Sequence, residues 1–216
     1  MGTAVLVTFE SAVDTLQKLG ARFCVVGGVA RSLLAEARST TDVDFAIAAQ
    51  SQDEIDELIR GLVAAGFVIR EVFLKQATNH VATVRVTWKA MQVRADLLFE
   101  TSGIERQVVD TASLREVLPG KVAPVVSREG LIAMKLVAGR PQDLSDISAL
   151  MDAGPIDTAA IDALVEGSTH PRRAEAILRW AEVQRQRRLW KPDLVADERG
   201  LERFKKAARR KKSSRR

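Results

Sequence analysis

Cysteine is all but missing from this chain. One, Cys24, stands in 216 residues, so no internal disulfide can form and a reducing, cytoplasmic setting is expected. Cys24 lies in the apolar run Phe23-Cys24-Val25-Val26, where a thiol packs as a small hydrophobe. Histidine is nearly as scarce. His80 and His170 are the only two, which gives no support to a zinc cluster or a Ser/His/Asp triad and leaves Cys24 without a nearby base. His80 is expected at a strand start and His170, before Pro171, in a linker. Long apolar runs are also lacking: no stretch approaches the ~20 residues of a membrane span. The first residues show no charged-then-apolar leader pattern, and no internal repeat is visible. No membrane association is expected.

What is present is an ordinary globular composition, 46% hydrophobic, in a chain long enough to bury a sizeable core. The expected order begins with a helix over residues 11–19. A β-branched, aromatic strand follows over 23–26, then a helix from Val29 to Ala37 and a second strand over 42–47. Ile55, Leu58, Ile59 and Leu62 follow helical spacing in a helix over 52–65, and Gly66 is its natural stop. Residues 67–73 read as a strand. Val84, Val86 and Trp88 then alternate on one face of a strand that turns over 88–92 into the run 91–99, a hairpin. A short connector leads to residues 121–126, and Ser127-Arg128-Glu129 reads as the N-cap of the next helix. Helices alone follow. The pattern predicts an α/β fold, a mixed β-sheet core flanked by helices with a helical C-terminal part. The expected divisions are 1–126, 127–198 and 199–216.

The chemistry-bearing residues cluster early. Gly27-Gly28 closes the first strand, and Asp42-Val43-Asp44 opens the second. Side chains alternate along a strand, so Asp42 and Asp44 share a side while Val43 and Phe45 face the core. Two adjacent carboxylates repel, and a divalent cation relieves them. Hard oxygen ligands suit Mg²⁺, which keeps positions for water and substrate phosphates. The pair points to metal-dependent phosphoryl or nucleotidyl transfer.

Gly27-Gly28, a helix, then Arg38-x-Thr40-x-Asp42-x-Asp44 resembles the signature of the DNA polymerase β-type nucleotidyltransferase superfamily. Within it, the chain is most similar to the abortive-infection (AbiEii-type) nucleotidyltransferases, which include toxins of toxin–antitoxin pairs. Gly-Gly-x-x-Arg-x-Leu-Leu is also similar to the head of tRNA CCA-adding enzymes, but those are much longer and usually carry an acidic residue at the position of Ser32. The resemblance implies the polymerase β-like nucleotidyltransferase fold and a third carboxylate on a neighbouring strand, for which Asp96 is the candidate. An Asp inside an apolar strand carries a desolvation cost that a shared metal would offset. The alternatives are an Asp facing solvent, or one paired with Arg85 or Arg94.

A two-metal site, Mg²⁺ or else Mn²⁺, would then rest on Asp42, Asp44 and Asp96. Gly27 and Gly28 would let the backbone approach the triphosphate of an NTP such as ATP, at the start of a helix. Arg38 and Thr40 would add phosphate contacts. A second resemblance lies in the Lys135-bearing helix followed by Asp143-x-x-Asp146. It implies that Lys135 meets a triphosphate or a site carboxylate, with Asp146 holding Lys135 or Arg140 and Asp143 capping a helix. An ordinary amphipathic helix is the plainer alternative.

Charge is uneven. Residues 199–216 contain ten Lys or Arg and one Glu, a net of +9 against +5 for the whole chain. The remaining 198 residues therefore sum to about −4. Such a tail is expected to be disordered and to contact RNA, or else an acidic protein. Arg172, Arg173, Arg179, Arg185, Arg187 and Arg188, with Trp180 and Trp190 interleaved, extend the bias. They read either as an RNA-gripping surface with stacking rings or as a solvated helix with its tryptophans on the core.

These readings converge on an enzyme, an NTP-dependent nucleotidyltransferase of the EC 2.7.7 type, acting on an RNA acceptor with tRNA favoured. An antitoxin partner is expected. The alternatives are transfer to a protein or small-molecule hydroxyl, and a non-catalytic nucleic-acid-binding protein on a degenerate transferase scaffold.

Overall fold

The computed structural model describes residues 2–88 and 91–189. The expected tail over 199–216 and Trp190 lie outside the described residues. Helix α1 (Thr3–Lys18) begins well before residue 11 because Val5 and Phe9 continue the apolar stripe of Ala12, Val13 and Leu16. It delivers the chain to β1 (Phe23–Val26), buried throughout, and then to α2 (Gly27–Leu34). Strand β2 (Val43–Ile47) and helix α3 (Gln52–Ala64) follow; Ser51 caps α3 by accepting from Glu54 N–H at 3.2 Å. Next come β3 (Phe67–Leu74), β4 (Val81–Trp88) and β5 (Arg94–Leu98).

The stretch expected as a short connector is more than that. It holds a helix, α4 (Glu105–Asp110), and a strand, β6 (Ser113–Leu118), which pairs antiparallel with β7 (Lys121–Val125). Four of the six β6 residues are exposed, so the strand lacks the apolar alternation that would have announced it. Helices α5 (Arg128–Ala138), α6 (Pro141–Asp152), α7 (Thr158–Gly167) and α8 (Arg173–Leu189) complete the described chain.

Among the described residues the strands form one mixed sheet in the order β3-β4-β5-β2-β1-β7-β6. Strands β1 and β2 are antiparallel, while β2 pairs parallel with β5 and β1 with β7. Phe9 of α1 stacks on Phe45 of β2 at 5.9 Å, and Phe23 meets the same ring edge-on. Burying each such ring contributes about 1.5–3 kcal/mol. Helix α5 is buried from Gly130 to Val137 and packs against α2, α6 and α7. At the far edge β3 is different: every residue after Phe67 is exposed, Val68, Ile69, Val72, Phe73 and Leu74 among them. The chain divides at Trp180, and the first unit carries everything from β1 to α7. No helix among the described residues is long and apolar enough to cross a membrane.

Candidate active site

The sheet register gathers the acidic residues. Asp44 of β2 lies directly opposite Asp96 of β5, and Asp96 lies opposite Arg85 of β4. Arg85 in turn faces Glu71 of β3. A row Asp44–Asp96–Arg85–Glu71 therefore crosses four strands on one face, because residues in register share a side. Arg85 grips Asp96 with two hydrogen bonds, Nε to Oδ1 at 2.8 Å and Nη2 to Oδ2 at 2.9 Å, and also bonds Glu71. Its guanidinium sits 5.3 Å from the Phe73 ring centroid. Asp96 thus meets the expected position beside Asp44 and is also paired with Arg85.

Asp42, just before β2, accepts from Thr40 Oγ1 at 3.2 Å and from Arg94 Nη2 at 3.4 Å. Asp44 is driven from its ordinary 3.8 up to about 7 by burial, then by repulsion from Asp42 and Asp96. Arg140 and the Gly28 N–H pull against that rise. Gly27, at φ 62°, abuts Asp44 so closely that a Cβ would overlap the carboxylate. A Cβ on Gly28 would stand 2.5 Å from Thr40 Oγ1. The two glycines thus let α2 start against the aspartate strand and its preceding loop. Ser32 Oγ ties that loop to α2, lying 3.0 Å from both Gly28 O and Arg38 O, which share its one proton.

A second cluster comes from α2, α5 and α6. Lys135 is 5% exposed, and its Nζ donates to Asp146 Oδ2 at 2.6 Å and to Asp143 Oδ1 at 3.2 Å. Asp146 also pairs with Arg31 and with Arg38, each at 3.3 Å. Asp143 caps α6 by accepting from Arg140 N–H at 2.9 Å, and its carboxylate holds the Arg140 guanidinium. Burial pushes Asp143 upward, but the Arg140 hydrogen bond and the Lys135 charge outweigh it and hold the acid below its usual range. Four cations thus face two carboxylates. Asp146 holds Lys135, as one expectation had it, whereas Arg140 belongs to Asp143.

A cavity of about 350 Å³ joins the two clusters. Gly27, Asp44, Arg85, Asp96, Lys135 and Arg140 line it, together with Glu105, His170 and Arg172. Asp42, Gly28, Arg38, Thr40 and Asp146 do not line it; Thr40 bonds Asp42, and Arg38 pairs with Asp146. Sequence reasoning missed Glu105, Arg85 and Arg172 as pocket residues and gave Arg140 only a structural part. His170, expected in a linker, has Nδ1 accepting from Arg172 N–H at 3.0 Å. Trp180 is buried and donates Nε1–H to Asp162 at 2.7 Å, so it belongs to the core. Arg179 donates to Leu136 O and Arg173 to Glu166 O.

Asp42, Asp44 and Asp96 fit a divalent cation in donor chemistry, being hard oxygens; burial first, and then repulsion from the other two acids, raise Asp44 to about 7. As the side chains lie, no three His, Cys, Asp or Glu residues among those described are grouped to hold one ion. Two of the three carboxylates are instead ion-paired, Asp96 with Arg85 and Asp42 with Arg94.

Residues 12–214 match a family model described as nucleotidyl transferase AbiEii toxin, type IV toxin–antitoxin system. The fold is similar to the solution structure of the antibiotic-resistance factor ANT(2'')-Ia, with a TM-score of 0.54 and 12% identity over 88% of this chain and 100% of that one. A crystal structure of ANT(2'')-Ia with adenylyl-2''-tobramycin gives 0.53 and 13%, over 83% and 99%. A nucleotidyltransferase-like protein of Paracoccidioides brasiliensis gives 0.49 and 20%, over 82% and 94%. No curated protein matches the sequence significantly.

Proposed function

The chain belongs to the AbiEii nucleotidyltransferase toxin family, and from that premise we propose that it moves a nucleotide from an NTP to an RNA acceptor, tRNA being favoured, with Mg²⁺ as cofactor. The carrying observation is the pairing of Asp44 with Asp96 at a cavity whose other wall is cationic. Asp42, Asp44 and Asp96 would hold the divalent cation. When bound, the ion supplies charge stabilisation to the triphosphate and lowers the pKa of the attacking hydroxyl.

The chain's own groups do the rest. Arg140, fixed by Asp143 and close enough to Asp44 to feel its charge, meets the triphosphate. Lys135 adds its field from below while Asp143 and Asp146 keep it from moving. The acceptor oxygen bonds to the α-phosphorus as the bond to pyrophosphate breaks, in line with the leaving group. Asp44, held near 7 by burial and by its acidic neighbours, would be ionised when it holds the cation. The basic segment 199–216 would draw in the RNA backbone, and an antitoxin would limit the toxin's action.

Purified protein is incubated with Mg²⁺, each α-labelled NTP in turn and total cellular RNA, beside Asp42→Ala. Label in RNA with the intact protein alone is expected, and it identifies the donor. Label in a protein band would replace the acceptor. Label that persists in both Asp42→Ala and Asp44→Ala would remove this mechanism.

A further inference from the structure

Glu105 opens α4 inside the cavity, yet it is 2% exposed. Its Oε1 accepts from Ser102 N–H at 2.5 Å and from Ser102 Oγ at 2.9 Å. Ser102 is itself anchored, since its carbonyl accepts from Ser168 Oγ at 2.6 Å, and Ser168 Oγ accepts from His170 N–H. One carboxyl oxygen of Glu105 is therefore held at Ser102. Its other oxygen, Oε2, is buried and has no hydrogen-bond partner among the described residues. A buried acceptor left unmade costs about 1–3 kcal/mol, and native structures rarely carry such a cost unless a ligand or role removes it.

We infer that Glu105 Oε2 is a specificity-determining acceptor for the nucleoside of the NTP, taking a hydrogen bond from a base amine or a ribose hydroxyl. The inference rests on the nucleotidyl-transfer reading and extends it. Phosphates would be met by Arg140 and Lys135, which line the same cavity; an unpartnered carboxyl oxygen attracts an N–H or O–H donor instead. A carbonyl presented to Oε2 would meet lone pair with lone pair. Arg172 and His170 also line the cavity and offer flat surfaces for the base.

Glu105→Gln makes the clean test. The Ser102 N–H requires an oxygen opposite it, so the amide oxygen takes that place and the NH₂ turns to the cavity. An acceptor becomes a donor at unchanged volume, and a matching thermal midpoint confirms the fold. Binding of ATP, 2'-deoxyATP, CTP and UTP is titrated by calorimetry on both proteins, without RNA. If the base amine is read, the intact protein prefers CTP to UTP by about tenfold or more, as expected for one buried bond, and Glu105→Gln erases or reverses this. If a ribose hydroxyl is read, the preference for ATP over 2'-deoxyATP collapses instead. Unchanged ratios in both pairs overturn the role of Glu105 while leaving nucleotide binding intact. No binding of any NTP by either protein overturns the parent reading, and this inference with it.

Discussion

Gly27 holds φ at 62° with the Asp44 carboxylate where its Cβ would be. The left-handed conformation alone costs another residue about 1–2 kcal/mol, and relief of the overlap must move Asp44. Gly27→Ala should therefore lower the thermal midpoint and suppress transfer together. Asp44 itself runs the other way. Its folded pKa of about 7 lies above the ordinary 3.8, so the folded chain holds this proton more tightly than the unfolded one. The favourable contribution is complete below about pH 4 and is lost as pH climbs through 7, a difference of up to about 4 kcal/mol. Asp44→Asn cannot ionise. It should melt higher than the parent at pH 8, match it near pH 4, and have no transfer activity; a lower midpoint at pH 8 would refute the assignment. Asp44 was legible in the sequence as an acid inside an apolar strand, whereas Asp42 precedes β2, which starts one residue later than expected, so alternation does not fix its side. Asp96 was legible as an acid out of place in an apolar run. Glu105 was not, since its surroundings depend on Ser102 meeting Ser168, 66 residues away.

At the scale of elements, α5 and α6 work as one piece locked by ions. Lys135 stands between Asp143 and Asp146, both 1% exposed, and breaking a buried pair from one side typically costs about 3–5 kcal/mol. Lys135→Met should show a loss of about 3 kcal/mol in urea denaturation, because Arg31, Arg38 and Arg140 still face the two acids. A loss below 1 kcal/mol would mean that Lys135 is not pinned as drawn. Helix α3 and the β4–β5 hairpin follow apolar periodicity closely enough to be read in advance. Strand β6 could not be, because its stability comes from β7 rather than from a buried face of its own. The union of α6 with α2 was equally hidden: it depends on Asp146 reaching Arg31 of α2 and Arg38 just beyond it, across the fold.

For the whole molecule, charge and edges govern behaviour in solution. The net +9 of residues 199–216 makes RNA affinity a function of ionic strength. Removing that segment should weaken binding at low salt and flatten its salt dependence, with little change in turnover at saturating acceptor; unchanged low-salt binding would assign the RNA contact elsewhere. The outer strand of the sheet has a different consequence. The eight residues of β3 present a row of open backbone groups beside exposed valine, isoleucine, phenylalanine and leucine, the makings of strand-on-strand stacking between molecules. Arg70, Glu71 and the irregular register at Ile69/Glu71 and again at Phe73/Leu74 interrupt that strip. Shelf life is therefore a local property: replacing both charges with valine should turn a clear concentrated stock into thioflavin-positive precipitate within days, while dilute protein stays clear.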